Sequence, residues 1–276
     1  MLRFRLGMKT KDLFICLFSV CFFTLTAQRP KAVIINSFDG SISETSMTQL
    51  KDLFHENGYS VVILDGDDAE WENVKRHSQN ASIFVYSGHG SSHGYSNIGG
   101  LCLPTSKNTW HSEVISSYDF EKEITLAPGA MVFFKSVCNG AGSSAGDKKD
   151  IGLNEAVRRV SAYSQPFLNM GASAYFASNY DNMPLVFSNL FSGETIEGTF
   201  IKLMGYHTEL ERIGPHALDS ESSVGIASNY TPGSVSTYTS TITNSDGSVE
   251  VKQEVFESFR GYDWAFAGDP LFTLKK

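Results

Sequence analysis

Five short apolar runs, rich in β-branched and aromatic residues, decide what this chain can fold into. They cover residues 31–38 (KAVIINSF), 60–64 (SVVIL), 82–86 (SIFVY), 130–137 (AMVFFKSV) and 172–177 (ASAYFA). Short runs without polar alternation read as strands buried on both faces. Helical spacing fills the stretches between them. Met47, Leu50, Leu53 and Phe54 recur at that spacing within 43–57, and Gly58 stops the pattern. A weaker helix covers 69–77, and further helical patterns cover 153–162 and 186–203. Strands buried on both faces that alternate with helices call for a mainly parallel sheet with helices on each side. In such sheets ligands bind beyond the carboxyl ends of the strands. The polar residues that end these runs are therefore where chemistry is expected.

The rest of the chain fits a single domain over residues 28–276, with no internal repeat and no long linker. With 41% hydrophobic and 19% charged residues it is neither a disordered polar chain nor a fibrous repeat. A formal charge of -8 argues against a general nucleic-acid binder or an anionic-membrane binder. Two β features stand outside the α/β alternation. Residues 99–103 (GGLCL) read as a small hairpin beside the loop after the third strand. Residues 235–243 and 249–256 alternate around Asn244-Ser245-Asp246-Gly247, a hairpin expected to project from the main sheet and wall a groove.

Residues 1–27 are not expected to belong to the fold. Arg3, Arg5, Lys9 and Lys11 precede an apolar run over 13–23, and the small residue Ala27 closes the stretch. That is the pattern of a secretory signal peptide, and the run is short for a span of about 20 residues. The protein is thus expected to be secreted or periplasmic, with no stable membrane insertion once the segment is removed. An uncleaved anchor is the alternative. Removal also takes Cys16 and Cys21, leaving Cys102 and Cys138. An oxidising compartment permits a bridge between these two. The sharper alternative is that one of them is a reactive thiol.

His89 and Cys138 each come directly after a strand and each sit in a glycine-bearing loop: Ser87-Gly88-His89-Gly90 and Cys138-Asn139-Gly140-Ala141-Gly142. Neighbouring parallel strands lie about 4.8 Å apart, so side chains on adjacent tips can face one another. A thiol needs a base to attack a carbonyl, and an imidazole also protonates the leaving amine. The backbone N–H groups of Gly90 and Cys138 are the candidate oxyanion hole. Taken singly, a cysteine after an apolar strand is more often a small buried hydrophobe.

The segments IFVYSGHG (83–90) and VFFKSVCNG (132–140) resemble the His-Gly and Cys blocks of caspase-like (clan CD) cysteine peptidases, a group that includes caspases, legumains, clostripain, gingipains, separases and CHAT-domain proteases. Residues 152–156, 167–172 and Gly268-Asp269-Pro270-Leu271 extend the similarity, in order, over about residues 31–274, closest in pattern to gingipain-, clostripain- and CHAT-type domains. The resemblance implies a caspase-haemoglobinase-like α/β/α sandwich carrying the additional C-terminal hairpin. It implies endopeptidase activity on peptides or proteins without a cofactor or metal, with Cys138 as nucleophile and His89 as general base and acid. An acidic residue after the next strand reads a basic side chain in several members, and Asp181, beside Asn179, stands at the matching place. A carboxylate there suits lysine or arginine; the plainer role for Asp181 is capping a helix that starts near Pro184. Val137 before the cysteine and the loop over 139–150 depart from the pattern. That glycine- and serine-rich loop is expected to be mobile, with an autocleavage point after Lys148 or Lys149.

Other signals carry less. His89, His93 and His111 suggest zinc, but the flanking glycines rule out a helical metal motif and no zincin glutamate is present. The glycine-rich stretch 140–146 is followed by Asp147 where a phosphate-binding loop has lysine, and no Gly-x-Ser-x-Gly elbow occurs. The acidic run Asp65-Gly66-Asp67-Asp68 reads as a solvated loop. The expectation is a secreted cysteine endopeptidase; the alternative is a catalytically inactive caspase-like module that binds peptides or partners.

Overall fold

A computed structural model gives the architecture and describes residues 29–37, 42–91, 99–105, 108–147, 149–204, 209–229, 235–244, 246–257 and 260–275. Residues 1–27, where a signal peptide is expected, lie outside the described residues, as do His93, Lys148 and the side chain of His111.

The expected runs form β1 (Lys31–Asn36), β2 (Ser60–Asp65), β3 (Ala81–Ser87), β7 (Ala130–Lys135) and β8 (Ala172–Ser178), with the short strands β4 (Gly90–Ser91), β5 (Gly100–Thr105) and β6 (Asn108–Ser116) between β3 and β7. The helices are α1 (Glu44–Glu56), α2 (Trp71–Ser78), α3 (Ser117–Glu123), α4 (Leu153–Asn169), α5 (Met183–Ser192) and α6 (Ile196–Leu203). Four more strands have no clear signal or only a hairpin signal in the sequence: β9 (Glu209–Pro215), β10 (Ser223–Asn229), β11 (Val235–Thr243) and β12 (Val249–Glu257). The last is β13 (Gly261–Gly268).

The main sheet has eight strands in the order β2-β1-β3-β7-β8-β13-β10-β9. The first five pair in parallel. The other three extend the sheet antiparallel from β8. The sheet is therefore mixed: its five parallel strands are as expected, and its three antiparallel strands are an addition.

Alternation along each parallel strand builds two cores. In β7, Val132 and Phe134 join the cluster shared with Val74, Phe120, Val160 and Phe167, so α2, α3 and α4 cover that face. Met131 and Phe133 join Leu50, Phe54, Phe187 and Phe200, so α1, α5 and α6 cover the other. The result is an α/β/α arrangement in which β7 is buried on both sides. The single helical pattern expected over 186–203 is two helices. Gly193 ends α5 in the left-handed region at φ 95°, and the Thr195 side chain caps α6 by accepting from the Gly198 N–H at 3.0 Å.

β4, β5 and β6 form a separate three-stranded sheet beside the loop after β3, enlarging the small hairpin expected there. The β11–β12 hairpin also forms its own sheet. It leaves β10 at Asn229, which pairs with Gly261 of β13, and β13 runs antiparallel to β8. The hairpin thus departs from the end at which β3, β7 and β8 finish. Among the described residues no helix is long and apolar enough to cross a membrane.

Candidate active site

The three parallel strands at the centre end side by side, with Ser87, Lys135 and Ser178 in register. Just beyond these ends stand His89 after β3, Cys138 after β7 and Asn179 after β8. Crosslinks continue past the strands: the Gly88 N–H donates to the Lys135 carbonyl at 3.4 Å and the Ser136 N–H to the Ser178 carbonyl at 2.9 Å.

Cys138 sits at the corner of a tight turn. The Gly140 N–H donates to the Val137 carbonyl at 2.9 Å, and Asn139 adopts φ 67°. A turn with positive φ at its third residue favours Gly or Asn there, which accounts for Asn139 directly after the cysteine. Ser136, two residues before it, also has positive φ, at 57°. Cys138 is therefore held on a short, backbone-constrained tip. Its thiol is free and half-buried, and among the described residues its N–H has no backbone acceptor.

His89 is exposed at its own tip, and the backbone on both sides of it is pinned. Its carbonyl accepts from the Cys102 N–H at 2.9 Å and lies 2.9 Å from the Tyr86 hydroxyl, which is also 2.7 Å from the Cys102 carbonyl. Gly90 pairs with Leu101 across β4 and β5, and the Cys102-to-His89 bond beside it marks this as a pair whose own N–H points away from the ladder. The closeness of the two tips shows at Gly90. A β-carbon on that residue would lie 2.5 Å from the Cys138 carbonyl oxygen, 2.6 Å from Val137 Cγ1 and 2.9 Å from the Tyr163 hydroxyl. Only glycine lets these backbones touch. The histidine loop and the cysteine loop therefore meet, at Gly90 and the Cys138 carbonyl.

Two buried tyrosines brace this contact from below, and nothing in the sequence pattern singled out either. Tyr86 lies under the His89 loop. Tyr163, on α4, places its hydroxyl 3.0 Å from the Ser91 carbonyl and 3.2 Å from that of Gly100. Both rings pack edge-on to Phe134, at centroid distances of 5.9 and 6.3 Å. Burial pushes both phenols far above their usual range. They act as neutral hydrogen-bonding struts.

Cys102 and Cys138 are both free thiols, so the disulfide considered from the sequence is not formed. Cys102 is buried, and that burial raises its thiol pKa, with the nearby Cys138 charge adding to the rise. Cys138 is the more accessible sulfur.

The loop after Cys138, expected from the sequence to be mobile, is tied to α4 at Gly142 and Asp147. Arg159 on α4 donates to both Asp147 oxygens at 2.8 and 3.0 Å and to the Gly142 carbonyl at 3.2 Å. Glu155 orients Arg159 from one turn earlier at 2.9 Å. Hydrogen bonds from Arg158 and Arg159 hold the Glu155 carboxyl down to about 2. Lys149 is exposed beyond this anchor.

Asp181 and Asn179 lie in the loop after β8 and are exposed. Asp181 Oδ2 accepts from the Ser43 and Ser46 hydroxyls at 2.9 and 2.8 Å and faces the Ser43 N–H at 3.4 Å. Asp181 thus braces the N-terminus of α1, whereas the helix near Pro184 takes Asn182 at its cap position. Asn179 bonds instead to Asp263 of β13 through its N–H and side chain.

Lys135, at the end of β7, is buried, and desolvation lowers its pKa; the Asp181 charge opposes that shift. Among the described residues no cluster of three or more His, Cys, Asp or Glu is arranged to hold a metal. Compared with protein-family models and with curated proteins, the chain matches none.

Proposed function

We propose that the chain is a cysteine endopeptidase of caspase-like fold, in which Cys138 attacks the scissile carbonyl and His89 takes and returns the proton. The approach of Gly90 to the Cys138 carbonyl carries this reading, because it brings an exposed imidazole-bearing loop onto the loop of an accessible thiol. The thiolate adds to the carbonyl carbon, and the developing oxyanion is received by the N–H groups of Gly90 and Cys138. The His89 imidazolium then protonates the departing amine, leaving a thioester that water hydrolyses. The mixed sheet with helices on both faces agrees with the caspase-like arrangement, and the β11–β12 hairpin leaves from the same end as the site. A peptide or protein substrate, cleaved after lysine or arginine, fits a mildly acidic chain. The protein is proposed to work outside the cytoplasm, consistent with its N-terminal segment.

The test is turnover of peptides with basic, acidic and Asn residues before the scissile bond, by purified protein and by its Cys138→Ala and His89→Ala variants. Turnover lost in both variants, together with fast alkylation of a single cysteine, supports the reading. Fast alkylation without turnover of any peptide replaces it with the peptide-binding module.

A further inference from the structure

A second carboxylate, Asp263, stands at this end of the sheet, at a position the resemblance does not mark. Asp263 lies in β13 where the pairing slips: Ala227 pairs with Trp264, but Ser228 pairs with Tyr262. Asp263 is therefore the extra residue of a β-bulge. The cores record the consequence, since Tyr262 packs into one cluster and Trp264 into the other although they are two residues apart. Bulges of this kind re-aim a side chain and recur beside active sites.

The re-aimed carboxylate is held at both oxygens. Asn179 donates to Oδ1 at 2.6 Å, and the Tyr180 hydroxyl donates to Oδ2 at 3.4 Å while accepting from Asn229 Nδ2 at 2.7 Å. The Asn179 N–H also donates to the Asp263 carbonyl at 3.0 Å. Glycine at position 261 leaves the near side bare, since a β-carbon there would sit 3.7 Å from Oδ2. The cysteine loop reaches the same stretch of β13: the Tyr262 N–H donates to Ser143 Oγ at 2.6 Å and the Ser143 N–H to the Tyr262 carbonyl at 3.2 Å. Two strand spacings, about 10 Å, separate β7 from β13. A long cationic side chain on a substrate held at Cys138 is suited to that span.

Burial raises the Asp263 pKa, and its two hydrogen bonds only partly oppose the shift. Among the described residues no lysine, arginine or histidine forms an ion pair with it. A desolvated carboxylate with amide and phenol support but no cation is an incomplete ion pair.

Resting on the peptidase reading, we propose that Asp263, aimed by the bulge and held by Asn179 and Tyr180, is the carboxylate that receives the substrate's lysine or arginine, and that Asp181 serves only to brace α1. The experiment compares kcat/KM for matched peptides with arginine or its neutral isostere citrulline before the scissile bond, in the wild type and in Asp263→Asn, Asp263→Ser and Asp181→Asn. The wild type is expected to favour arginine by about a hundredfold, the two Asp263 variants to lose that ratio while still cleaving the citrulline peptide, and Asp181→Asn to keep it. A wild type without preference overturns the assignment, as does an unchanged ratio in folded Asp263 variants or a collapsed one in Asp181→Asn. Should the wild type cleave neither peptide, it is the peptidase reading that fails. Calorimetry with N-acetyl-argininamide then decides on Asp263 alone: binding lost in Asp263→Asn supports its role, and binding unchanged or absent in the wild type refutes it.

Discussion

Adding one methyl group at Gly90 tests the meeting of the two loops most directly. A β-carbon there would lie 2.5 Å from the Cys138 carbonyl oxygen, against 3.4 Å for ordinary contact, so about 0.9 Å must be found. Val137 Cγ1 and the Tyr163 hydroxyl belong to side chains and can yield, but the carbonyl belongs to the constrained tip that carries the thiol. The loops must separate. Displacements of about 1 Å cost on the order of 100-fold in rate, or about 2.7 kcal/mol of transition-state stabilisation. The strain also costs about 1–3 kcal/mol of folding stability. Gly90→Ala is therefore expected to melt a few degrees lower, remain folded, and lose about 100-fold in kcat on any peptide the wild type cleaves. Gly146→Ala is the control, because its nearest neighbour is the Ser144 hydroxyl at 3.8 Å. The assay is steady-state hydrolysis alongside thermal unfolding. A folded Gly90→Ala protein with wild-type kcat would refute the claim that the dyad depends on this contact.

Cys102→Ser is expected to retain activity, and iodoacetamide should modify Cys138 well before Cys102, whose thiol is buried and raised in pKa; peptide mapping after a short exposure reads the site. Phe134→Ala removes a fully buried ring that touches Tyr86, Tyr163, Phe167 and Tyr175, and should destabilise by about 3–5 kcal/mol in denaturant titration. Arg159→Met breaks the anchor on Asp147 and Gly142, so limited proteolysis should cut within residues 139–150 faster than in the wild type. His216 is buried, with Nε2 2.9 Å from Ser164 Oγ and Nδ1 accepting from the Leu218 N–H, and desolvation lowers its pKa although Asp219 opposes the shift. The unfolded state thus binds the extra proton first, and stability should fall as pH drops below about 6.5 toward the lowered value. His216→Gln should flatten that part of the unfolding-against-pH curve.

The parallel strands of the sheet were legible because they are buried on both faces, and continuous apolar runs such as 130–137 announce that state. The three antiparallel strands were not. β9 carries Glu209, Glu211 and Arg212, as the last strand of the sheet can, and β10 reads as SVGIASN, too mixed to stand out. Helix α4 runs on to Asn169 beyond the pattern that ended at 162, although Pro166 cannot donate to the carbonyl four residues back. Phe167 explains the continuation, since it packs into the core beside Phe84 and Phe134. His89 and Cys138 were legible because strand ends and glycines flag them. Tyr86, Tyr163 and Asp263 were not, because a tyrosine in an apolar run looks like core and a bulge leaves no mark in the residues that form it.

The antiparallel extension also changes what this end of the sheet can hold. In an all-parallel sheet, only residues just past a strand's carboxyl end reach the ligand-binding side. Here β13 arrives at that end with its first residues, so Gly261, Tyr262 and Asp263 stand beside the loop after β8. The loop that carries Cys138 and the strand that carries Asp263 thus belong to strands of opposite direction, joined by the bonds between Ser143 and Tyr262. A change in the bulge should therefore alter which side chain is accepted while leaving Cys138 reactive. Deleting Asp263 outright, which restores plain pairing, is expected to preserve alkylation of Cys138 by iodoacetamide and to abolish any preference for arginine over citrulline. Equal loss of alkylation and of selectivity would mean that the bulge builds the whole site and does not aim one carboxylate.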